Sequence, residues 1–436
     1  MKINKVRSGM LFFLLSGLFL WLPVPASAAD FEFKPFVSLS EEVTDNVYEN
    51  ATGKRTDYIT RVRPGATFRY QSPLWTWDTA YTFEYRNYAR GSNGDEYLHD
   101  GSLKGNISVI DNFFFLDLSD TYKRVTLDVS QNAATQTSLF VNQTDQNSAQ
   151  ISPYLLWRLR GERTLKTGYS FTDTRYFGVN GSTQGGSGSQ RSNGIDKQEH
   201  RGFADLSHDV TAKLNFTTRY AFTRLESDPA QYNKHDVSGS FKYEYADKSF
   251  LSAQLGNSWQ QFNNGVDVSY LFWNAAVIHD FNGTVGTLEA IVITTEDPLV
   301  VSTKETTYRA KLDKTFLRGS IGGAVHYSEF VNTQTDVIDH RTQGVSVSGR
   351  YEVMQDITAT LATSVEKYSQ QTTANNSINA TNYPYRFTGT GGLNFAFNKE
   401  LTLGLTYTYV TQRYGFSDAA GAAEINKAVV ELKKTF

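Results

Sequence analysis

The side chains able to do chemistry come first. Histidine is the commonest metal ligand and a general base near neutral pH. The chain has seven: His99, His200, His208, His235, His279, His326 and His340. They are scattered over separate stretches, and none forms a pair at metal-ligand spacing. His200 and His208 are too far apart for one strand turn to bring them together. Asp339-His340 is the best candidate for a hydrolytic site, which would still need a nucleophile beside it. The run Gly185-Gly186-Ser187-Gly188 lacks the Lys-Ser/Thr of a phosphate-binding loop. With no cysteine there is no thiol nucleophile, disulfide framework or haem-attachment motif. The expectation is a protein that is not an enzyme, with no catalytic residue, no metal, no cofactor and no nucleic-acid partner.

A second constellation is basic. Arg61, Arg63, Arg69, Arg86, Lys104, Arg158, Arg160, Arg219, Lys242, Arg309, Arg350 and Arg386 share the parity of the polar positions in their stretches. Asp78, Glu84, Asp117, Glu244, Asp313, Glu352 and Glu366 fall on the same side. If that side lines a water-filled space, the arginines are candidate lumen-lining residues. A basic-leaning conduit favours anions. The plainer alternative is a self-neutralising network that lets charge live inside a wet barrel.

The elements that would position these residues are strands. Apolar and polar residues alternate with a period of two near 31–43, 58–70, 74–89, 97–109, 113–124, 148–159, 164–177, 199–208, 212–225 and 235–246. The pattern continues near 248–262, 266–281, 284–295, 305–316, 318–331, 341–353, 355–369, 383–397, 400–414 and 424–436. The stretch at 74–89 is the clearest: Trp75, Trp77, Tyr81, Phe83 and Tyr85 alternate with Asp78, Thr82, Glu84 and Arg86. Short turns such as Arg160-Gly161-Glu162 and Asn282-Gly283 follow even strands, and longer polar loops follow most odd ones. That order predicts an all-β fold: a closed, antiparallel, up-and-down transmembrane β-barrel of about 20 strands, within 18–22. Closure is required because each unpaired backbone group in hydrocarbon costs several kcal/mol. The loop from Gly178 to Gly194 is rich in Gly, Ser, Asn and Gln, a low-complexity composition without a core of its own.

Both ends of the sequence agree with export. Lys2, Lys5 and Arg7, an apolar run from Met10 to Leu22, and Ala26-Ser27-Ala28 read as a signal peptide over 1–28. The barrel is then expected over 29–436, with no separate plug domain expected before it. The last stretch carries Leu432, Val430 and Ala428 on one face, Thr435, Lys433, Glu431 and Lys427 on the other, and ends on Phe436. A closing strand ending in Phe resembles the assembly signal of Gram-negative outer-membrane barrels, which makes Phe436 the candidate signal residue and the barrel assembly machinery a partner. Aromatic girdles are expected where strands meet the rims. Tyr70, Trp75, Trp157, Phe281, Phe316, Phe397 and Phe436 would form the periplasmic one, and Tyr85, Phe262, Phe330, Tyr368 and Tyr383 the outer one.

Two stretches carry a family resemblance. Ser38-Leu39-Ser40-Glu41-Glu42-Val43-Thr44-Asp45-Asn46-Val47 and Asp57-Tyr58-Ile59-Thr60-Arg61-Val62-Arg63-Pro64-Gly65 resemble the opening of a porin-like outer-membrane β-barrel family. That family is associated with exopolysaccharide and PEP-CTERM/exosortase systems. The likeness continues through Tyr81–Tyr88 and Ile151-Ser152-Pro153-Tyr154 and covers the first third of the chain. It implies location in the outer membrane of a Gram-negative bacterium, contact with outer-membrane lipid, and association with polysaccharide export components. It brings no functional residues. Three functions stay open: a channel for an exopolysaccharide or other surface polymer, a general diffusion porin, and a surface structural or receptor barrel with a closed lumen.

Overall fold

Period-two patterning over the whole chain leaves every stretch with one apolar and one polar face, and pairing all of them edge to edge gives a single closed sheet. The computed structural model describes residues 29–126, 143–177, 194–228, 230–295, 302–370, 385–413 and 422–436. The signal peptide expected over 1–28 and nearly all of the 178–194 loop lie outside them. The strands are β1 (Asp30–Thr44), β2 (Asp57–Gln71), β3 (Trp75–Tyr88), β4 (Glu96–Ile110), β5 (Phe114–Thr126), β6 (Gln143–Leu159) and β7 (Arg163–Phe177). Next come β8 (Lys197–Thr211), β9 (Leu214–Ser227), β10 (Tyr232–Ala246), β11 (Ser249–Phe262), β12 (Asp267–Asp280), β13 (Thr284–Thr295) and β14 (Thr303–Phe316). The last are β15 (Gly319–Asn332), β16 (Val337–Met354), β17 (Ile357–Gln370), β18 (Tyr385–Ala396), β19 (Leu401–Arg413) and β20 (Ala423–Thr435). Each pairs antiparallel with the next, and β1 pairs with β20, so the 20-stranded sheet closes.

The expected strands match these in number and order. The boundaries differ most where β6 and β16 begin several residues early. The extra residues of β6, such as Gln143, Thr144 and Gln146, are polar on both faces. That strand projects there beyond any apolar layer and the alternation that marks it disappears. β16 starts on the adjacent apolar pair Val337-Ile338 beside an irregularity in its register with β15, which also breaks the alternation. The short turns use left-handed backbone: Asn282 and Gly283 adopt φ of 59° and 92°, as a tight hairpin turn requires.

Closure rests on a short seam. β1 meets β20 from Phe36 opposite Thr435 to Thr44 opposite Lys427, with the Phe436 N–H donating to the Pro35 carbonyl at 2.9 Å beyond one end. Asp45 extends it: its carboxylate accepts the Asn426 backbone N–H at 2.8 Å and the Asn426 amide at 2.6 Å. The buried Asn46 amide donates to the Glu424 carbonyl at 2.9 Å. The Thr44-Asp45-Asn46 motif is thus the clasp of the barrel. In the second motif Pro64 has no N–H to give, and the β2–β3 ladder skips from Val62–Tyr85 to Gly65–Thr82. A Cβ on Gly65 would fall 2.7 Å from the Tyr81 carbonyl, so only glycine fits there.

Leu255, Leu271, Leu288 and Leu361 are 61–67 % exposed and share the outward face. An unbroken apolar exterior around a polar interior is the surface of a membrane-spanning barrel, and the protein is an outer-membrane β-barrel. Both ends of the described chain lie at the short-turn rim. Trp157, Phe281, Phe316, Phe397 and Phe436 are exposed there, as a girdle requires. At the opposite, long-loop rim the expected girdle is corrected. The register turns Phe262, Phe330 and Tyr368 inward, and Tyr383 lies outside the described residues. Phe262 packs with Leu225, Ala230 and Tyr232 in a small core inside the mouth. Tyr85 does face outward there, against Tyr97, and Tyr81, Phe83, Tyr169, Phe171, Tyr220 and Phe222 form an outward aromatic band nearer the middle of their strands.

Candidate functional site: a charged lining at the long-loop mouth

The inward face of β1–β4 near the long-loop rim carries a continuous chain of opposite charges. Arg61 reaches Glu42 at 2.8 Å and Glu84 at 3.5 Å. Arg63 meets Glu84 at 3.0 Å and Glu431 at 3.8 Å, which ties β20 into the network. Arg86 lies 2.7 Å from Glu84 and 3.2 Å from Glu96. From the outward parity of β5, where it stands opposite Asp145, Arg124 also reaches Glu96 at 3.4 Å, with Asp145 at 2.9 Å. Directly opposed register positions put these long side chains within reach: Arg61 faces both Ser40 and Arg86, and Arg86 faces Glu96. Arg61 and Arg86 are only 3 % and 2 % exposed. Buried guanidinium groups persist only when paired and hydrogen-bonded, and the alternating carboxylates supply that.

The loop between β1 and β2 completes the lining. Glu49, in left-handed backbone and buried, turns into the mouth. Its carboxylate accepts the Gln412 amide at 2.7 Å and lies 3.7 Å from Arg386 and 3.8 Å from Lys427. The loop is held in turn by a core of Val47, Ile59 and Tyr88. The Tyr48 hydroxyl donates to the Ser92 carbonyl at 2.6 Å, and Asp57 accepts the backbone N–H groups of Arg90 and Ser92 at 2.8 and 3.0 Å. The first two long loops are therefore one folded unit, latched inward by Glu49.

The register puts Arg61, Arg63, Arg69, Arg86, Arg158, Arg219, Arg309, Arg350 and Arg386 on the inward face. They are not one site. Arg61, Arg63, Arg86 and Arg386 belong to the mouth. Arg69 pairs with Asp78 at 2.8 Å nearer the short-turn rim, Arg219 with Asp205 at 2.7 Å, and Arg309 with Glu289 at 3.6 Å. Arg158 donates to the Asn112 side chain at 2.9 Å. Arg160 is corrected: β6 ends at Leu159, and Arg160 sits in the turn that follows, off the inner wall. The basic lean expected from the arginines is also corrected, because the balancing carboxylates include Glu42, Glu49, Glu96, Asp205, Glu289 and Glu431. Parity applied to β1, β4, β8, β13 and β20 would have found all of these except Glu49, which is a loop residue. Among the described residues, Lys104, Arg158 and Arg350 form no ion pair.

The histidines are spread over separate strands of the barrel wall. The Tyr81, Tyr169 and Tyr220 hydroxyls lie 2.7, 2.6 and 2.9 Å from Nδ1 of His99, His200 and His235 on the outer face. His340 stacks on Phe330 at 4.2 Å, while Asp339 sits at the irregularity in the β15–β16 register. Among the described residues no group of three or more His, Asp or Glu could hold a metal ion.

No protein-family model and no curated protein matches the sequence. Solved structures do match the fold. The chain superimposes on the FrpB iron transporter from Neisseria meningitidis with a TM-score of 0.52 and 10 % identity, covering 92 % of this chain and 82 % of that one. The copper transporter OprC gives 0.54 at 9 % identity, with 95 % and 81 % covered. The ferric enterobactin receptor from Pseudomonas aeruginosa gives 0.54 at 10 % identity, with 94 % and 81 % covered. At such identities the likeness is one of architecture. This chain has the outer-membrane barrel fold on which those transporters and receptors are also built.

Proposed function

We propose that the protein is a non-catalytic outer-membrane channel whose cargo is a weakly charged, hydroxyl-rich solute or polymer. The observation that supports this is the mouth lining of paired arginines and carboxylates. Such a wall sets strong donors beside strong acceptors with little net field, which suits hydroxyl groups better than a bare ion. The resemblance at residues 38–70 adds the link to exopolysaccharide, making a surface polysaccharide the favoured cargo. Long loops face the outside in this reading, and the short-turn rim faces the periplasm.

Single barrels in planar bilayers test the reading. A neutral oligosaccharide should lower the current at concentrations where polyethylene glycol of equal size has little effect. Equal effects of the two would favour a general diffusion porin. Absence of conductance, even with the 127–142 and 178–193 loops trimmed, would favour a closed receptor barrel.

A further inference from the structure

The outer wall from β12 to β18 is not smooth. A groove of about 810 Å³ crosses it, floored by Ala275, Ala290, Ala310, Val325, Val345 and Val365. The register explains its course. Ala275 faces Ala290, Ala310 faces Val325, Val325 faces Val345, and Val345 faces Val365, so small or β-branched outward residues run across consecutive strands. The lining begins at Tyr385, the first residue of β18 at the long-loop rim. It reaches Val277, close to the short-turn end of β12. The groove therefore descends obliquely through the apolar layer instead of circling it.

Its upper end is cationic. Lys367 on β17 faces Tyr385 in register, and Tyr385 faces Arg413 on β19. The Lys367 ammonium lies 5.4 Å from the Tyr385 ring centre, and the Arg413 guanidinium 5.0 Å from that of Phe387. Among the described residues neither cation has a carboxylate partner. The nearby Arg341 is already neutralised by Glu329 at 2.6 Å. Two cations without a carboxylate partner among the described residues, above a long apolar channel open on the outer face, complement one chemical class.

We propose that this groove is a lipid site, taking one acyl chain of a phosphate-bearing membrane lipid whose phosphate is held by Lys367 and Arg413. The small residues give the chain its depth, and the two cations at its upper end supply charge-assisted contacts to the phosphate. The site is independent of whether the lumen conducts.

The test is retention of lipid by the purified full-length barrel in detergent, read by native mass spectrometry. The probes are phosphatidic acid and diacylglycerol with identical chains. The unaltered barrel should retain phosphatidic acid in preference. Lys367→Ala with Arg413→Ala should weaken that retention about tenfold and leave diacylglycerol unchanged. Ala290→Phe with Ala310→Phe fills the groove and should reduce retention of both lipids. Heat-modifiable migration on gels checks that each variant is folded, and both pairs of substitutions point outward, away from the mouth network. Equal retention of the two lipids by the unaltered barrel overturns the proposal, as does undiminished phosphatidic acid in the cation variant. A dimer abolished by the Phe substitutions, with lipid retention intact, would assign the groove to a second copy of the chain instead.

Discussion

Glu84 is the hub of the mouth, and Glu84→Ala is the sharpest perturbation of it. Its carboxylate serves Arg61, Arg63 and Arg86 at 3.5, 3.0 and 2.7 Å, and two of those guanidinium groups are almost fully buried. Removing one partner from a buried charge pair costs about 3–5 kcal/mol, because the other charge stays desolvated. Each arginine here keeps a second carboxylate: Glu42 for Arg61, Glu431 for Arg63 and Glu96 for Arg86. The loss should therefore lie at the low end, about 3 kcal/mol. Denaturant unfolding of the barrel in lipid vesicles measures it. The same change leaves one uncompensated positive charge at the mouth. At ~7 Å in water a unit charge is worth about 0.6 kcal/mol, or roughly a threefold bias for each sign of ion. The reversal potential in a salt gradient should move toward chloride by a corresponding amount. Adding Arg63→Met restores the balance and should return the potential to its original value, a recovery that a misfolded mouth would not show. A Glu84→Ala barrel with native stability and unmoved reversal potential would mean that the ion pairs neither hold the mouth nor set its field, and the reasoning would fail.

Other outcomes follow from the same geometry. Glu49→Ala frees the inward latch on Arg386, Lys427 and Gln412, and should raise the frequency of open–closed current transitions in single-barrel recordings. An epitope inserted after Gly53 in the first long loop should be reached by antibody on intact cells, and one inserted after Asn398 should not; the reverse pattern would invert the orientation. Phe436→Ala should lower the amount of folded, heat-modifiable barrel in outer-membrane fractions, since it removes an exposed ring from the rim and the proposed assembly signal. Asp45→Ala removes two hydrogen bonds from the β1–β20 seam and should lower stability by about 1–3 kcal/mol, as for other lost hydrogen bonds to a charged group.

The barrel was legible because its physics is local and repeated. Each strand must show an apolar face to lipid and a wetter face inward, so Trp75 to Tyr85 announces a strand before any partner is known. Short turns such as Asn282-Gly283 fix the order of pairing, and twenty repetitions of that rule leave only one closed sheet. The signal weakens where strands leave the apolar layer: Gln143 to Gln146 form real β-structure but face water on both sides. Parity also placed nine of the ten arginines singled out as candidates, and failed for Arg160 only because the strand stops one residue earlier.

What the mouth does with those arginines was harder to read, because pairing across strands depends on register, and a slip of one residue turns every side chain to the other face. Arg61 and Glu42 are 19 positions apart in the chain and meet only because Ser40 stands opposite Arg61. Arg63 and Glu431 meet only because the last strand returns to the first. Glu49 was wholly hidden: nothing in Tyr48-Glu49-Asn50 distinguishes a carboxylate turned into the barrel from one in solvent. Its position follows from Val47 and Tyr48 packing against the neighbouring loop, a tertiary event without periodic signature. Counting arginines by face therefore gave a basic conduit, whereas the folded mouth is a nearly balanced lattice of donors and acceptors. In a barrel the wall composition is written in the strands, but the field at the entrance is decided by the loops that fold back into it. Here the carboxylate that completes the balance at the mouth, Glu49, comes from a loop and not from the strands that carry most of the arginines.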